Sequence, residues 1–207
     1  PLFTACGGST CTTGANSNRQ PITSRPEVGR HPSGAGVVVY FGTGKYLETG
    51  DNNGALGGKQ TYYAIGDSLE ASETTVSGRS LLVQQSIVQE SNVSGSSYRV
   101  TSKNDVNWSA KRGWFLDLVP PSGTGEGERQ VTTPLLRNGK IIFTTVIPAN
   151  DPCVPGGPSW LMELDARSGS RLAYTPFDVN HDGKFTDEDF IAYGSDTTPA
   201  SGTKTEG

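Results

Sequence analysis

The chain has 207 residues with a formal net charge of −4, and 33% of its residues are apolar, against roughly 45–50% in a typical soluble domain. It contains 27 glycines and 13 prolines, a composition that favours short strands joined by turns over long helices. It has no Lys/Arg cluster and no apolar run of roughly 18–20 residues, which argues against a nucleic-acid-binding surface and against insertion into a membrane.

Residues 1–19 are small and polar and predict an N-terminal loop. Because the chain starts at Pro1 without a secretion signal, we expect it to be a piece of a longer protein. The spacing of Cys6 and Cys11 would let them close a small loop in an oxidising compartment. With Cys153 as the third cysteine, three single pairings remain open, and so does a fully reduced state. Neither histidine has the spacing to a cysteine pair that a zinc site requires.

Short apolar or alternating segments, bounded by Gly, Pro or Asn, predict β-strands through most of the remaining chain. One of them, residues 79–91, fits either a helix or a strand, and its β-branched residues favour a strand. Near the C-terminus we predict a short helix at 186–193 and a flexible tail at 196–207. The predicted strands lie within residues 34–47, 59–67, 79–91, 97–102, 113–119, 129–137, 140–148 and 159–166, with a turn-rich loop at 48–58.

One order of segments occurs twice. A Thr/Pro segment, a β-branched strand after Gly and an aromatic strand ending in Asp follow one another from residue 20 and again from residue 129. Repetition of a multi-strand unit is typical of propellers and solenoids, in which neighbouring units bury each other's apolar faces. Two units fall short of the roughly four blades of the smallest closed propeller, so the repeat also indicates a piece of a larger protein.

The acidic stretch DVNHDGKFTDED, residues 178–189, matches a twelve-residue calcium loop. Calcium takes about 6–8 oxygen ligands, and alternate residues of such a loop converge on the ion. Gly183 stands at position 6, where the sharp turn requires a residue without Cβ. The predicted ligands are the side chains of Asp178, Asn180, Asp182 and Asp189, the backbone carbonyl of Lys184, and Thr186 at a position that often binds through water.

The charges of this loop favour the same interpretation. Asp178, Asp182 and Asp189 would repel one another in the empty loop, and one divalent ion would cancel two of their three charges. The alternative is a solvated acidic turn, and we expect His181 and Asp187 to face solvent. The pattern occurs once, so we predict a single calcium site on a β scaffold and no EF-hand pair.

In combination, YFGTGKYL, GWFLDL, SWLMELD and the acidic loop resemble the C-terminal propeller domain of the PilY family of type IV pilus biogenesis proteins and tip-associated adhesins. The resemblance covers about residues 20–195. It implies an all-β fold, part of a modified, quinoprotein-like β-propeller with antiparallel blades and a calcium loop at 178–189. It also implies that calcium tunes pilus extension against retraction, through Asp178, Asn180, Asp182 and the backbone of Lys184. Position 9 is Thr186, where the family loop often has an acidic residue, so closure by Asp189 is inferred from spacing alone.

The resemblance further implies a non-enzymatic module of an exported protein at the pilus tip, the outer membrane or the cell surface. Its implied partners are minor pilins and the pilus tip, together with a host surface or matrix, and its implied roles are pilus biogenesis, attachment and twitching motility. An exported protein would favour a disulfide between Cys6 and Cys11 and leave Cys153 to pair outside this chain.

Two other functions fit parts of the sequence. A quinoprotein dehydrogenase would hold pyrroloquinoline quinone beside calcium, and a carbohydrate- or matrix-binding domain would use calcium structurally. A quinone site requires acidic, Arg and Trp residues around a central channel, whereas Trp108, Trp114 and Trp160 lie in contexts typical of core packing. No nucleophile–base pair supports a hydrolase, so we predict that the chain is not an enzyme.

Overall fold

The computed structural model describes residues 2–14, 17–70, 74–76, 78–149 and 157–205, and strands dominate its regular structure. The helical elements in these ranges are single 3₁₀ turns, such as the one at Gly54–Leu56. The strands are β1 Glu27–Arg30, β2 Val37–Gly42, β3 Thr61–Asp67, β4 Val83–Gln85, β5 Ile87–Val93, β6 Ser96–Thr101, β7 Gly113–Asp117, β8 Leu135–Arg137, β9 Lys140–Val146, β10 Ser159–Asp165, β11 Ile191–Tyr193, β12 Asp196–Thr198 and β13 Gly202–Thr205.

The strands form two large sheets and a small hairpin. The first sheet has the order β1-β2-β3-β7-β4, the second has the order β5-β6-β13-β10-β9-β8, and β11 pairs with β12. All of these pairings are antiparallel except the one between β4 and β7. The repeat seen in the sequence corresponds to β1-β2-β3 and β8-β9-β10, two antiparallel meanders that each gain a further antiparallel strand beside the third.

The two sheets share one core. Alternate residues of β10, from Trp160 to Leu164, are buried, as expected for a strand with one face toward a core. The tightest aromatic contact in the core joins the sheets, because the Tyr62 ring in β3 stacks on Phe143 in β9 with centroids 3.9 Å apart. Trp114 is fully buried and stacks on Tyr62 at 5.9 Å. Each sheet therefore covers the apolar face of the other.

A buried ion pair holds a connecting segment to the second sheet. Arg99 in β6 is fully buried and donates from both terminal nitrogens to Glu128, at 2.7 Å each. Its Nε donates to Glu90 at 2.8 Å, and its guanidinium lies 3.9 Å from the Trp160 ring centroid. Thr145 also donates to Glu128. Each of the three guanidinium nitrogens of Arg99 thus donates to a carboxylate, and such pairing is the condition under which a buried charge is tolerated.

The N-terminal loop lacks strands within its described residues, but it is not a surface appendage. Ala5 and Cys6 are buried, and the Phe3 ring lies 5.0 Å from the Tyr63 ring, measured between centroids. Cys6 and Cys11 form a disulfide with Cα atoms 5.5 Å apart, a separation that suits this bond. Cys153, for which we predicted a pairing outside the chain, lies outside the described residues.

The C-terminal predictions need correction. The helix expected at 186–193 is wrong: a single 3₁₀ turn at Asp187–Asp189 is followed by β11, whose backbone pairs with β12. The flexible tail expected at 196–207 is wrong for its described residues, because β13 lies inside the second sheet between β6 and β10. Gly202 permits this placement, since a Cβ there would clash with Sδ of Met162.

One strand prediction was too long. Residues 129–137 were expected to form a continuous strand, but β8 covers only Leu135–Arg137. Arg129 instead makes an isolated antiparallel bridge to Val146 at the end of β9. Pro134 interrupts the segment, and proline cannot donate to a sheet hydrogen-bond ladder.

Two adjacent tyrosines allow a matched test of the core. The Tyr62 hydroxyl is buried without a hydrogen-bond partner among the described residues, whereas the Tyr63 hydroxyl accepts from Arg79 Nη2 at 2.7 Å and lies 2.7 Å from Gln20 Oε1. Tyr62→Phe should therefore leave the free energy of unfolding unchanged or raise it by up to about 1 kcal/mol, and Tyr63→Phe should lower it by about 1–3 kcal/mol. Urea unfolding of both variants measures this difference. Equal losses in the two variants would contradict it.

Candidate metal centre

The acidic loop is anchored to the outer face of the second sheet by a small apolar cluster. Phe177 and Val179, on either side of Asp178, are buried and pack with Tyr98 of β6 and with Ile191. The Phe177 and Tyr98 ring centroids lie 6.5 Å apart. The alternation of buried and exposed residues at 177–180 therefore directs the polar side chains of the loop away from the sheet.

Side-chain oxygens at the start of the loop curl its backbone. The Asp178 carboxylate accepts from the backbone N–H of Asp182 at 3.1 Å and of Gly183 at 2.9 Å. The side chain of Asn180 accepts from the same Asp182 N–H, at 3.0 Å, and the Asp182 carboxylate accepts from Lys184 N–H at 2.8 Å. Gly183 has φ +80°, the left-handed conformation that the sixth position of a calcium loop requires.

The end of the loop is closed by Asp189, which is fully buried. Its Oδ1 accepts from the backbone N–H of Val179 at 2.8 Å and of Asn180 at 3.2 Å, and its Oδ2 accepts from Thr186 N–H at 2.9 Å. Burial by itself would raise the pKa of the Asp189 carboxyl, but the three N–H donors together hold it below its ordinary value. Asp189 thus joins the start of the loop to its end without an ion.

Thr186 has a similar local role. Its hydroxyl accepts from Glu188 N–H, and it forms a reciprocal capping box with Asp189 around the 3₁₀ turn. The spacing Thr-x-x-Asp just before an apolar run is a sequence signature of this capping box. The sequence prediction assigned Thr186 and Asp189 only to positions of a calcium loop and did not include the capping box. His181 and Asp187 are exposed, as expected.

The donors at the start of the loop suit a hard cation. Asp178, Asn180 and Asp182 present oxygen atoms, and a carboxylate oxygen that accepts one N–H still has a second lone-pair direction. The Asp189 oxygens already accept three hydrogen bonds, which leaves little capacity for an ion. Across the described ranges, no three His, Cys, Asp or Glu side chains are grouped closely enough to hold a metal. The calcium site therefore stays a prediction, and its first three side-chain donors fit it best.

The described residues include no helix that is long and apolar enough to cross a membrane.

Comparisons with known proteins point to one family. The model of the PilY1 beta-propeller domain matches residues 3–99. A type IV pilus biogenesis factor PilY1 homolog from Xylella fastidiosa is 38% identical over 152 residues, which cover 73% of this chain and 10% of that protein. The type IV pilus biogenesis factor PilY1 of Pseudomonas aeruginosa is 31% identical over 202 residues, which cover 91% of this chain and 17% of that protein. The chain thus spans less than a fifth of the length of these relatives.

A solved structure supports the same relationship. The crystal structure of the Pseudomonas aeruginosa PilY1 C-terminal domain matches with a TM-score of 0.80 and 29% identity, over 98% of this chain and 43% of that chain. The match confirms the predicted all-β architecture as part of a β-propeller.

The closing role of Asp189 can be tested without calcium. Asp189→Asn keeps one acceptor oxygen but replaces the other with a donor, so at least one loop N–H loses its partner. In a chelating buffer we expect the free energy of unfolding to fall by about 1–3 kcal/mol, measured by urea unfolding. Asp187→Asn, an exposed change two residues away, should shift it by less than about 0.5 kcal/mol. Equal stability of wild type and Asp189→Asn in chelator would rule out this closing role.

Proposed function

This chain belongs to the PilY1 family, and from that premise we propose that it is a non-enzymatic propeller segment of a type IV pilus biogenesis factor whose acidic loop binds calcium. The observation that carries the proposal is the fold match to the PilY1 C-terminal domain over 98% of the chain, at 29% identity. The proteins that share this fold and sequence are named for pilus biogenesis. The proposed setting is therefore an exported protein at the pilus tip or cell surface, in contact with minor pilins and a host surface or matrix.

The residues of the acidic loop would have two different roles in binding the ion. Asp178, Asn180 and Asp182 would supply side-chain oxygens and Lys184 its carbonyl, while Asp189 maintains the loop's closure through the backbone. Calcium, when bound, supplies positive charge that offsets the repulsion between the carboxylates. Because the backbone N–H groups of the loop already donate to side-chain oxygens within it, the ion would bind to a largely formed site.

The apolar contacts of the acidic loop suggest how calcium binding could affect the strands of the propeller. Phe177 and Val179 pack on Tyr98 of β6, and Ala200 of the same cluster precedes β13. Since β6 and β13 are neighbours in the second sheet, a change in the loop would act on the strands at its centre. We propose that this contact links calcium to the balance between pilus extension and retraction.

The quinoprotein alternative lacks support from the described residues. Trp160 is only 2% exposed, and the Arg99 guanidinium lies 3.9 Å from its ring centroid. Trp114 is fully buried between the sheets, with its Nε1 donating to the Ala166 carbonyl. Neither indole presents a face to a cofactor.

Calorimetry with isosteric variants tests the calcium site. Wild type should bind one Ca²⁺ with a dissociation constant of about 10⁻⁶ to 10⁻³ M, the range of sensors and extracellular modules. Asp178→Asn and Asp182→Asn each remove one charge and should weaken binding at least about tenfold. Asp187→Asn makes the same change outside the ligand pattern and should bind like wild type. An absence of heat at millimolar Ca²⁺ in the folded wild type would eliminate the site.

Pilus formation tests the role in assembly. In the bacterium that makes this protein, deletion of residues 20–205 from the full-length gene should remove surface pili, counted by electron microscopy. Asp178→Asn should leave the protein level unchanged and alter twitching motility, whereas Asp187→Asn should not. Normal pili in the deletion strain would refute a role in pilus biogenesis. Loss of pili in the deletion strain together with normal twitching of the Asp178→Asn strain would refute only the control of pili by calcium.

A further inference from the structure

A pocket lies at the edge of the second sheet where the chain leaves β6 and β10. Both strands pair antiparallel with β13, so they run in the same direction and end at the same edge. Residues of the segments 103–106 and 165–174 line this pocket, which has a volume of about 540 Å³. This volume falls within the range of roughly 300–1,000 Å³ that is typical of small-molecule sites.

A buried glutamine holds the two walls of the pocket against each other. Gln85 at the end of β4 is fully buried, and its Nε2 donates to the carbonyls of Asn104 at 2.6 Å and of Ser168 at 2.8 Å. Its Oε1 accepts from the Ser102 hydroxyl and from the Asn104 N–H. The amide thus uses both of its donors and both lone pairs of its oxygen. Because both walls are bound to one side chain, the pocket is formed before a ligand arrives.

The wall that follows β10 is a fixed turn. The Oδ1 of Asp165 accepts from the N–H of Arg167 at 2.9 Å and from the N–H and hydroxyl of Ser168 at 2.8 and 2.9 Å. Gly169 has φ +71° and donates its N–H to the Asp165 carbonyl, and a Cβ there would clash with the buried Trp114 ring. The turn therefore rests on the core and presents Arg167 to solvent.

Three cations line the pocket. Lys103 and Arg167 are exposed and Arg171 is half-buried, so all three are accessible to a ligand. Within the described part of the chain, no carboxylate oxygen lies within 4.0 Å of their side-chain nitrogens. Lys103 and Arg167 each adjoin one of the two residues that Gln85 binds, and the Arg171 N–H donates to the Ser102 carbonyl. The three backbones are therefore close enough for their long side chains to contact one ligand.

Two carboxylates in the same lining restrict the kind of anion that fits. Asp105 is exposed and Asp165 is half-buried, so three cations and two carboxylates give the lining a net charge of +1. A phosphate dianion would be attracted by the cations but repelled by both carboxylates. A monoanion that also carries hydroxyl groups has one charge for the cations and hydrogen-bond donors for the carboxylates. The lining therefore favours a hydroxyl-rich monocarboxylate.

An exposed aromatic ring belongs to the same lining. Tyr174 is 52% exposed, and the Lys140 ammonium lies 5.9 Å from the centroid of its ring. Val106 and Ala173 add apolar surface. An aromatic ring beside charged groups suits a sugar, because a pyranose ring has an apolar C–H face and a polar edge.

From these features we propose that the pocket binds an acidic sugar, of the class of the hexuronic acid residues of polysaccharides. The carboxylate of the sugar accepts from Lys103, Arg167 and Arg171, its hydroxyl groups donate to Asp105, and its C–H face packs on Tyr174. This inference names a ligand class for the proposed contact with a host surface or matrix, and to that extent it rests on the proposed function. The pocket shares no residue with the acidic loop, so binding of the sugar does not require calcium.

Matched sugars test the role of the charge on the unmodified chain. Methyl glucuronide, its neutral amide and methyl glucoside share one ring and differ at C6 in a carboxylate, a carboxamide and a hydroxymethyl group. In NMR titrations in a chelating buffer, methyl glucuronide should shift the backbone signals of Lys103, Arg167 and Tyr174 in a saturable manner. The amide and the glucoside should bind at least about tenfold more weakly, because they lack the charge that pairs with the cations. Equal affinities for the three sugars, or no saturable response to methyl glucuronide, would overturn the proposal.

Two further anions separate an acidic sugar from other charged ligands. Glucose 6-phosphate carries the same kind of ring with close to two negative charges, and acetate carries the carboxylate without a ring. Both should bind more weakly than methyl glucuronide, the first because of repulsion by the two carboxylates and the second because it has neither hydroxyl groups nor a C–H face. Tighter binding of glucose 6-phosphate, or equal binding of acetate, would contradict recognition of a sugar monocarboxylate.

Variants at exposed positions check the location. Lys103→Gln and Arg167→Gln should each weaken binding of methyl glucuronide about threefold or more and leave the affinity for methyl glucoside unchanged. Tyr174→Ala should weaken binding of both sugars, because it removes the surface on which the ring packs. Arg137→Gln makes the same change as Arg167→Gln at an exposed arginine outside the pocket, and it should bind within about twofold of wild type. Wild-type affinity for methyl glucuronide in all three pocket variants, with the backbone spectrum of a folded protein, would place the binding elsewhere and refute the site.

The result for the sugar is separable from the result for the proposed function. A chain that binds calcium and supports pilus formation but does not respond to methyl glucuronide would refute the sugar site alone. Normal pili in the deletion strain would refute the role in pilus biogenesis and leave sugar binding by the purified chain unaffected.

Discussion

The structure depends on the burial of one aromatic surface between two sheets. Neither sheet could keep its inner face dry alone, because a sheet with one apolar face requires a partner layer. Tyr62 and Phe143 meet at 3.9 Å across this boundary, and Trp114 and Trp160 are buried on either side of it. The sequence repeat accounts for this arrangement, because each of the two similar meanders supplies one face of the shared core.

Three buried arginines attach irregular segments to this core, and they differ in how completely they are matched. Arg99 is paired with Glu128 and Glu90, and Arg79 with Asp117, Tyr63 and Thr61. Among the described residues, Arg129 donates only to backbone carbonyls, and its Nη2 has no hydrogen-bond partner. Carboxylates therefore stabilise the first two arginines, whereas backbone carbonyls stabilise the third.

In the acidic loop, the residue that closes the loop differs from the residues that offer oxygen atoms to a cation. Asp189 is buried and closes the loop through three backbone N–H groups, whereas Asp178 and Asp182 stand near its surface with oxygen capacity to spare. A loop closed by its own hydrogen bonds keeps its shape when the ion leaves. The proposed calcium ion would therefore change mainly the charge of this surface.

Local patterns in the sequence determined the strands with one buried face, the turn at Gly183 and the two-unit repeat, because these depend on alternation and on glycine conformation over a few residues. Only the tertiary structure decided the place of β13 and the closing role of Asp189. The residues from Gly202 to Thr205 have no apolar pattern, and their partners in β6 lie about a hundred positions earlier. Hydrogen bonds between such distant segments leave no periodic trace in the chain, so they become visible only when the sheets bring the segments together.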